Sequence, residues 1–199
     1  LGAALIAVPF GIGTAVYISE IAPRWMREIL KPLVELLGGL PSVVLGFLGI
    51  LVLAPFLRVF LDLPTGLTAF TGSLLLGGIA VPTVVSVAED ALDSVPRAYR
   101  EGAWALGATH WQTIWRVTLP AARSGVLTAV MLGVGRAIGE TMTVMMVTGN
   151  APVLATKLGS LFSPVRTMTA TIAAEMGDVA NGSTHYHVLF FIGMLLFII

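Results

Sequence analysis

The sequence predicts an all-α fold, a polytopic transmembrane helical bundle, and three observations carry that prediction. Its 199 residues are 56% hydrophobic and only 11% charged, with a mean hydropathy of +0.93. A soluble domain carries about 25% charged residues, so this much apolar sequence calls for surrounding lipid as well as a core. Long apolar stretches recur at the roughly 20-residue length that crosses a bilayer. None of them alternates with period two, and lipid admits only helices or closed barrels.

The spans follow in order. Leu1–Ser19 has no charge and ends at Glu20; Leu33–Leu57 holds only Glu35; Leu67–Ala88 holds none. Ser124–Thr148 is apolar but contains Arg136 and Glu140, and Val188–Ile199 is a fifth span, cut short. Pro9, Pro41 and Pro82 fall inside these stretches, where neighbouring helices re-satisfy the freed backbone groups. The chain begins at Leu1 and ends within Phe197-Ile198-Ile199. Both ends are therefore expected to be cuts through a longer protein, with a first helix and the end of the last one missing.

Charge and composition exclude several functions. Eleven Lys and Arg balance eleven Asp and Glu, so no basic footprint for nucleic acid exists. Without cysteine there is no disulfide scaffold, thiolate zinc site or cysteine nucleophile. The bases are sorted along the chain. Arg24, Arg27 and Lys31 follow the first span, and Arg97, Arg100, Arg116 and Arg123 follow the third. The loop after the second span offers only Arg58, and the one after the fourth only Lys157 and Arg166. The positive-inside rule puts the first two loops in the cytoplasm.

The inner loop, Glu89–Pro120, carries the most information. Asp90, Asp93 and Ser94 lead into Val95-Pro96-Arg97, a helix start with Pro near the first turn. Gly107 interrupts the helical pattern, and Thr109 is placed to cap a second amphipathic piece that runs to Leu119-Pro120. Such helices must bury an apolar face. The bilayer interface would suit Trp104, Trp111 and Trp115; a soluble partner would suit them equally.

Glu101-Gly102-Ala103, then Gly107, then Val117-Thr118-Leu119-Pro120 resemble the E-A-A, G, I-x-L-P loop of binding-protein-dependent ABC importer permeases, with Gly102 for Ala and Val117 for Ile as departures. The resemblance implies the type I ABC importer permease class (a MetI-like fold), one transmembrane domain over residues 1–199, and a cytoplasmic coupling loop at 89–120. It also implies that Glu101, Gly102, Ala103, Gly107, Leu119 and Pro120 serve ATPase coupling by seating in a groove of the ATPase subunit.

In the fourth span, Gly133-Val134-Gly135-Arg136-Ala137-Ile138-Gly139-Glu140-Thr141-Met142 sets Arg136 and Glu140 four apart, on one face if the helix is continuous. Each costs about 2.5–3.5 kcal/mol at bilayer depth. An internal ion pair that locks helix packing and an anion site built on the guanidinium fork explain them equally well. Gly133, Gly135 and Gly139 either admit a second helix closely or leave room beside Arg136.

The G-R-A-I-G-E-T-M stretch is similar to the fifth helix of phosphate-importer permeases of the PstC type. Leu40-Pro41-Ser42-Val43-Val44, Ala121-Ala122-Arg123-Ser124-Gly125 and Thr169-Ala170-Thr171-Ile172-Ala173 agree with it. That likeness implies Arg136 and Glu140 as substrate-pathway residues for inorganic phosphate. It implies a multi-pass protein of the cytoplasmic (inner) membrane, embedded in the lipid bilayer. Its partners would be a second, PstA-like permease subunit, an ATP-binding subunit dimer and an extracytoplasmic phosphate-binding protein. The alternatives are a permease for another oxyanion and an ATPase-independent secondary transporter or channel. No Gly-rich phosphate loop is present, so this chain is expected to bind no cofactor, to be no enzyme, and to leave ATP and Mg to the ATPase.

Weaker features remain. His185 and His187 lack a nearby carboxylate in sequence, so an aromatic belt at the membrane edge is preferred over a metal site. His110 reads as a surface contact and Met142–Met146 as packing. Asn181-Gly182-Ser183 reads as a turn. Thr167, Thr169 and Thr171 alternate in an outer loop, Ala151–Asn181, that faces an extracytoplasmic partner or none.

Overall fold

The computed structural model describes residues 1–153 and 158–198, and Lys157 lies outside them. Among the described residues the only strand-like feature is an isolated bridge between Gly149 and Val165; everything else regular is helical. Helix α1 (Gly2–Val16) continues through a wide turn to Ile21, α2 is Arg24–Gly39, and α3 (Ser42–Leu48) runs through another wide turn into α4 (Ala54–Phe60). Helix α5 is Ala69–Asp93, α6 is Arg97–Ala105, and α7 (His110–Thr113) winds on into α8 (Leu119–Ala121). Then come α9 (Arg123–Gly139), α10 (Met142–Val147), α11 (Met168–Glu175) and α12 (Thr184–Ile198). By length and composition Gly2–Ile21, Ser42–Phe60 and Ala69–Asp93 are long and apolar enough to cross a membrane. His110–Ala121 and Arg123–Gly139, bent by 74°, would add a fourth span if taken as one.

Two expected spans are redrawn. Leu33–Leu57 is not one helix: α2 ends at Gly39, Leu40 is extended (ψ 134°), and the apolar span starts at Ser42. Pro41 is the cause, because its ring disfavours helical geometry in the residue before it; Pro9 and Pro82, by contrast, do lie inside helices. Likewise Ser124–Thr148 is divided. Helix α9 stops at Gly139, and α10 begins at Met142 after Glu140 and Thr141.

The chain forms two compact units. The first comprises Ala3–Leu40 and Gly77–Ala137, the second Pro41–Leu76 and Ile138–Ile199. In the first, small residues recur every fourth position along α1, and Ala3, Ala7, Gly11 and Ala15 are buried. That stripe lets α1 approach α5 closely: a Cβ on Gly11 would sit 2.6 Å from Val84. The core of this unit collects Ala15 and Ile18 from the α1 segment, Val84, Val85, Ala88 and Leu92 from α5, Ile114 from the loop, and Val126 and Ala129 from α9. Small-residue contacts suit a helix pair in lipid, where dispersion and close approach replace a hydrophobic drive.

Charges close one end of this unit. Glu89, only 2% exposed, accepts Arg27 Nη2 at 2.9 Å and Lys31 Nζ at 2.8 Å. Asp93 pairs with Arg27 and accepts Ser19 Oγ at 2.7 Å, and Lys31 also reaches Asp90 at 3.3 Å. The hydrogen bond to Glu89 holds the Lys31 ammonium above the ordinary lysine range. In the second unit, Gly49 of the α3–α4 span admits Leu75 and Val147, and Gly46 admits Met146. Of the methionine run expected to pack, Met146 does so there, whereas Met142 is exposed.

Gly133 is a close-approach position, since an added Cβ would overlap Val84 Cγ2, whereas Gly135 has nothing within 4 Å. Gly133→Val is expected to destabilise the protein by about 1–3 kcal/mol. Gly135→Val should shift stability by no more than about 0.5 kcal/mol. Thermal unfolding of both variants in detergent checks the contrast.

Candidate functional site

The inner loop folds as its punctuation dictates. Pro96 caps α6 in extended geometry (ψ 136°), and the helix ends before Gly107, whose φ of +82° only glycine adopts without strain. Thr109 caps α7 as a capping box: Gln112 N donates to Thr109 Oγ1 at 3.3 Å, and Thr109 N donates to Gln112 Oε1 at 2.9 Å.

Around that frame stands an unpartnered apolar surface. Leu106 is 91% exposed, and Tyr99, Trp104, Trp111 and Trp115 are exposed as well. Trp111 and Trp115 meet edge to face at 5.9 Å. Glu101 is exposed in α6, and a Cβ added at Gly102 or Gly107 would meet nothing within 4 Å. A surface with one carboxylate, glycines that keep the backbone accessible and three indoles is suited to a partner's groove.

The loop is held from behind. Arg100 donates through Nη2 and Nε to Glu20 Oε1 at 2.6 and 3.2 Å, and to the carbonyls of Val95 and Leu92 at 2.9 and 3.0 Å. His110 Nε2 lies 3.0 Å from the Glu20 carbonyl, which makes it an internal contact as well as a surface residue. No sequence signal pointed to Glu20, because its partner lies 80 residues away.

Arg136 sits on α9, half-buried, and donates Nη1 to Thr83 Oγ1 and Nη2 to the Gly38 carbonyl, both at 2.9 Å. Gly38 belongs to the last turn of α2, so its carbonyl is one of the orphans at a helix C-terminus, where the dipole favours a cation. Two of the five guanidinium N–H groups are thereby engaged, and the rest can meet an anion. Glu140 lies past the end of α9, so the two residues do not share one helix face. Its carboxylate lies 3.4 Å from Thr143 Oγ1, whose single proton is shared with the Ser42 carbonyl at 2.9 Å. The Glu140 carbonyl accepts Thr169 Oγ1 at 3.3 Å.

Residues 7–199 match the family model of binding-protein-dependent transport system inner membrane components. The chain belongs to this family. Its type I ABC importer permease class accounts for the all-helical fold and the inner-membrane location. Over 195 residues the chain is 44% identical to the probable ABC transporter permease protein YqgH of Bacillus subtilis, covering 98% of this chain and 62% of that protein. It is 38% identical over 216 residues to the phosphate transport system permease protein PstC of Mesorhizobium japonicum, covering 99% and 65%. The PstC of Pasteurella multocida is 34% identical over 216 residues, covering 99% and 66%. The chain thus spans less than two thirds of the length of these relatives.

On the second unit, Thr167 caps α11 by accepting Ala170 N at 3.3 Å, so the alternating threonines begin a helix. The carboxylate expected to be absent near His185 is present: Glu175 Oε2 lies 2.8 Å from His185 Nε2 and its other oxygen pairs with Arg166. Two segments separated by the Asn181 turn are brought together, which no local pattern announces. Among the described residues no group of three His, Asp or Glu could hold a metal.

The hydrogen bond from His185, with help from Arg166, keeps the Glu175 carboxyl below its ordinary value of 4.5. A carboxyl whose pKa is lowered by folding contributes stability above its unfolded pKa and loses it as pH falls through the folded value. Acidification from about pH 5 to about pH 3 is therefore expected to lower the unfolding midpoint more in the wild type than in Glu175→Gln. Thermal scans across that range measure the difference.

Proposed function

We propose that this chain is a membrane-spanning permease subunit of an ATP-driven importer that moves inorganic phosphate across the cytoplasmic membrane. The observation that carries the reading is likeness along 99% of the chain to relatives named phosphate transport system permease protein PstC. Two features support it. The inner loop presents a docking-type surface, and a half-buried Arg136 on an apolar helix keeps donors that match a tetrahedral oxyanion.

In this reading the chain pairs with a second, PstA-like permease subunit. An ATP-binding subunit dimer engages Glu101, Gly102, Ala103, Gly107, Leu119 and Pro120, and an extracytoplasmic phosphate-binding protein delivers the anion. ATP and Mg reside on the ATPase, and this chain performs no catalysis. Arg136 takes the phosphate charge within the membrane. The Gly38 carbonyl and Thr83 hydroxyl hold the guanidinium when no anion is present, and Glu140 lines the route at the end of α9.

A permease for another oxyanion is the second reading, because the donors that Arg136 keeps free fit any tetrahedral oxyanion. Competition of phosphate uptake by sulfate or molybdate separates the two.

Loss of a charge-assisted bond is worth about 1.5–3 kcal/mol, so Arg136→Gln should lower phosphate uptake by roughly ten- to hundredfold. Wild-type uptake in that variant would remove Arg136 from the pathway. Gly107→Val forces a branched residue to φ +82°, costing about 1–2 kcal/mol in the docked geometry. It should reduce the ATPase subunit that co-purifies with the permease. Undiminished co-purification and uptake would show that this loop is not where the ATPase docks.

A further inference from the structure

A break in the helical path separates α5 from α6. Helix α5 ends at Asp93, α6 starts at Arg97, and the residues between include Pro96, which contributes no backbone donor. On the other side of α6 the Gly107 turn is a second break. A helix suspended between two breaks can tilt when its exposed face is pushed, and the push is absorbed unless side chains bridge the breaks.

Arg100 bridges the first one. From the middle of α6 it reaches back to the carbonyls of Leu92 and Val95 and across to Glu20, at the end of the α1 segment. His110, just beyond the second break, reaches the carbonyl of the same Glu20. The arginine side chain is 15% exposed and the glutamate 5%. Burial of this kind is a poor way to gain stability, since replacing a buried ion pair by apolar groups is often neutral or favourable. What it supplies is direction: a planar guanidinium with two bonds to Glu20, one to Leu92 and one to Val95 in the linker fixes the angle of α6 against both spans.

We infer that Arg100 is the positioning residue that passes movement of the docking loop to the first and third spans, with Glu20 as its anchor. The inference rests on the ATP-driven permease reading and adds a mechanical joint to it. Arg100 need not touch the ATPase or the transported anion. Its neighbour Glu101 is exposed to the partner while Arg100 faces the spans, so consecutive residues divide docking from transmission.

The test uses the full permease assembled with its natural partner subunits in proteoliposomes. Two quantities are read: ATPase subunit retained per permease, and phosphate imported per ATP hydrolysed. Arg100→Gln is expected to retain the ATPase subunit while phosphate per ATP falls about tenfold, within the range that coupling residues command. Because Arg100→Gln strands the Glu20 carboxylate, the double variant Arg100→Gln, Glu20→Gln serves as the second reading. It leaves no buried charge unpaired, so it should accumulate normally and remain as poorly coupled. Arg100→Lys, which keeps one charged donor, should recover part of the ratio.

A wild-type ratio in the double variant overturns the inference, since only the stranded charge would then have mattered. Loss of the ATPase subunit from the double variant also overturns it, making Arg100 a docking or folding residue. Failure of the permease reading looks different, because the wild-type complex itself would then import no phosphate on adding ATP.

Discussion

A carboxylate at the end of an apolar helix has to be answered by cations, and Glu89 is answered twice. Its two oxygens take Arg27 and Lys31, which are one helical turn apart on α2. Glu89 is buried while both cations are partly exposed, so it is the carboxylate that needs them, and the two bonds tie α2 to α5. With its charged face committed, α2 turns Trp25, Ile29, Leu33, Leu36 and Leu37 outward, as an amphipathic helix at a lipid interface does. Its C-terminal carbonyl at Gly38 is thereby carried to Arg136. Arg136 thus owes one of its partners to an ion cluster seven to eleven residues earlier on α2.

The same economy recurs wherever a helix breaks. Each helix end leaves up to four backbone groups without partners, and in an apolar protein few other groups can satisfy them. Arg100 serves the end of α5, Arg136 the end of α2, Thr109 the start of α7 and Thr167 the start of α11. Polar residues in this chain are scarce, so those that the breaks recruit are also those available for function. Fold support and the proposed site thus draw on the same small set of side chains.

This explains which features the sequence made legible. Composition and span length identify a helical membrane protein because lipid leaves so few alternatives. The Thr109 cap, the Pro96 start and the Gly107 break were readable because each acts within four residues of itself. Pro41 was misleading: tolerated prolines occur inside spans at Pro9 and Pro82, and nothing local distinguishes those from one that ends a helix. The end of α9 was hidden too, since Gly139-Glu140-Thr141 looks like a continuation of a charged helical face. Glu20 with Arg100 and Glu175 with His185 could not be read at all, because they depend on segments meeting that are distant in the chain or turned back on themselves.

The partners of Arg136 bear on how an anion could pass and be released. A carbonyl at a helix C-terminus carries only part of a negative charge, and Thr83 is neutral. Neither matches a full carboxylate as a ligand for guanidinium, so an oxyanion on the proposed pathway would displace them at modest cost. An ion pair with Glu140 on one helix face would have been a stiffer competitor, because separating two charges in an apolar surround costs far more than exchanging one oxygen dipole for another. Within the first unit Arg136 has two exchangeable partners, and within the second Glu140, past the end of α9 at Gly139, has Thr143 nearby. An arginine on an apolar helix is thereby satisfied by two neutral groups of its own unit, neither of them a counter-ion.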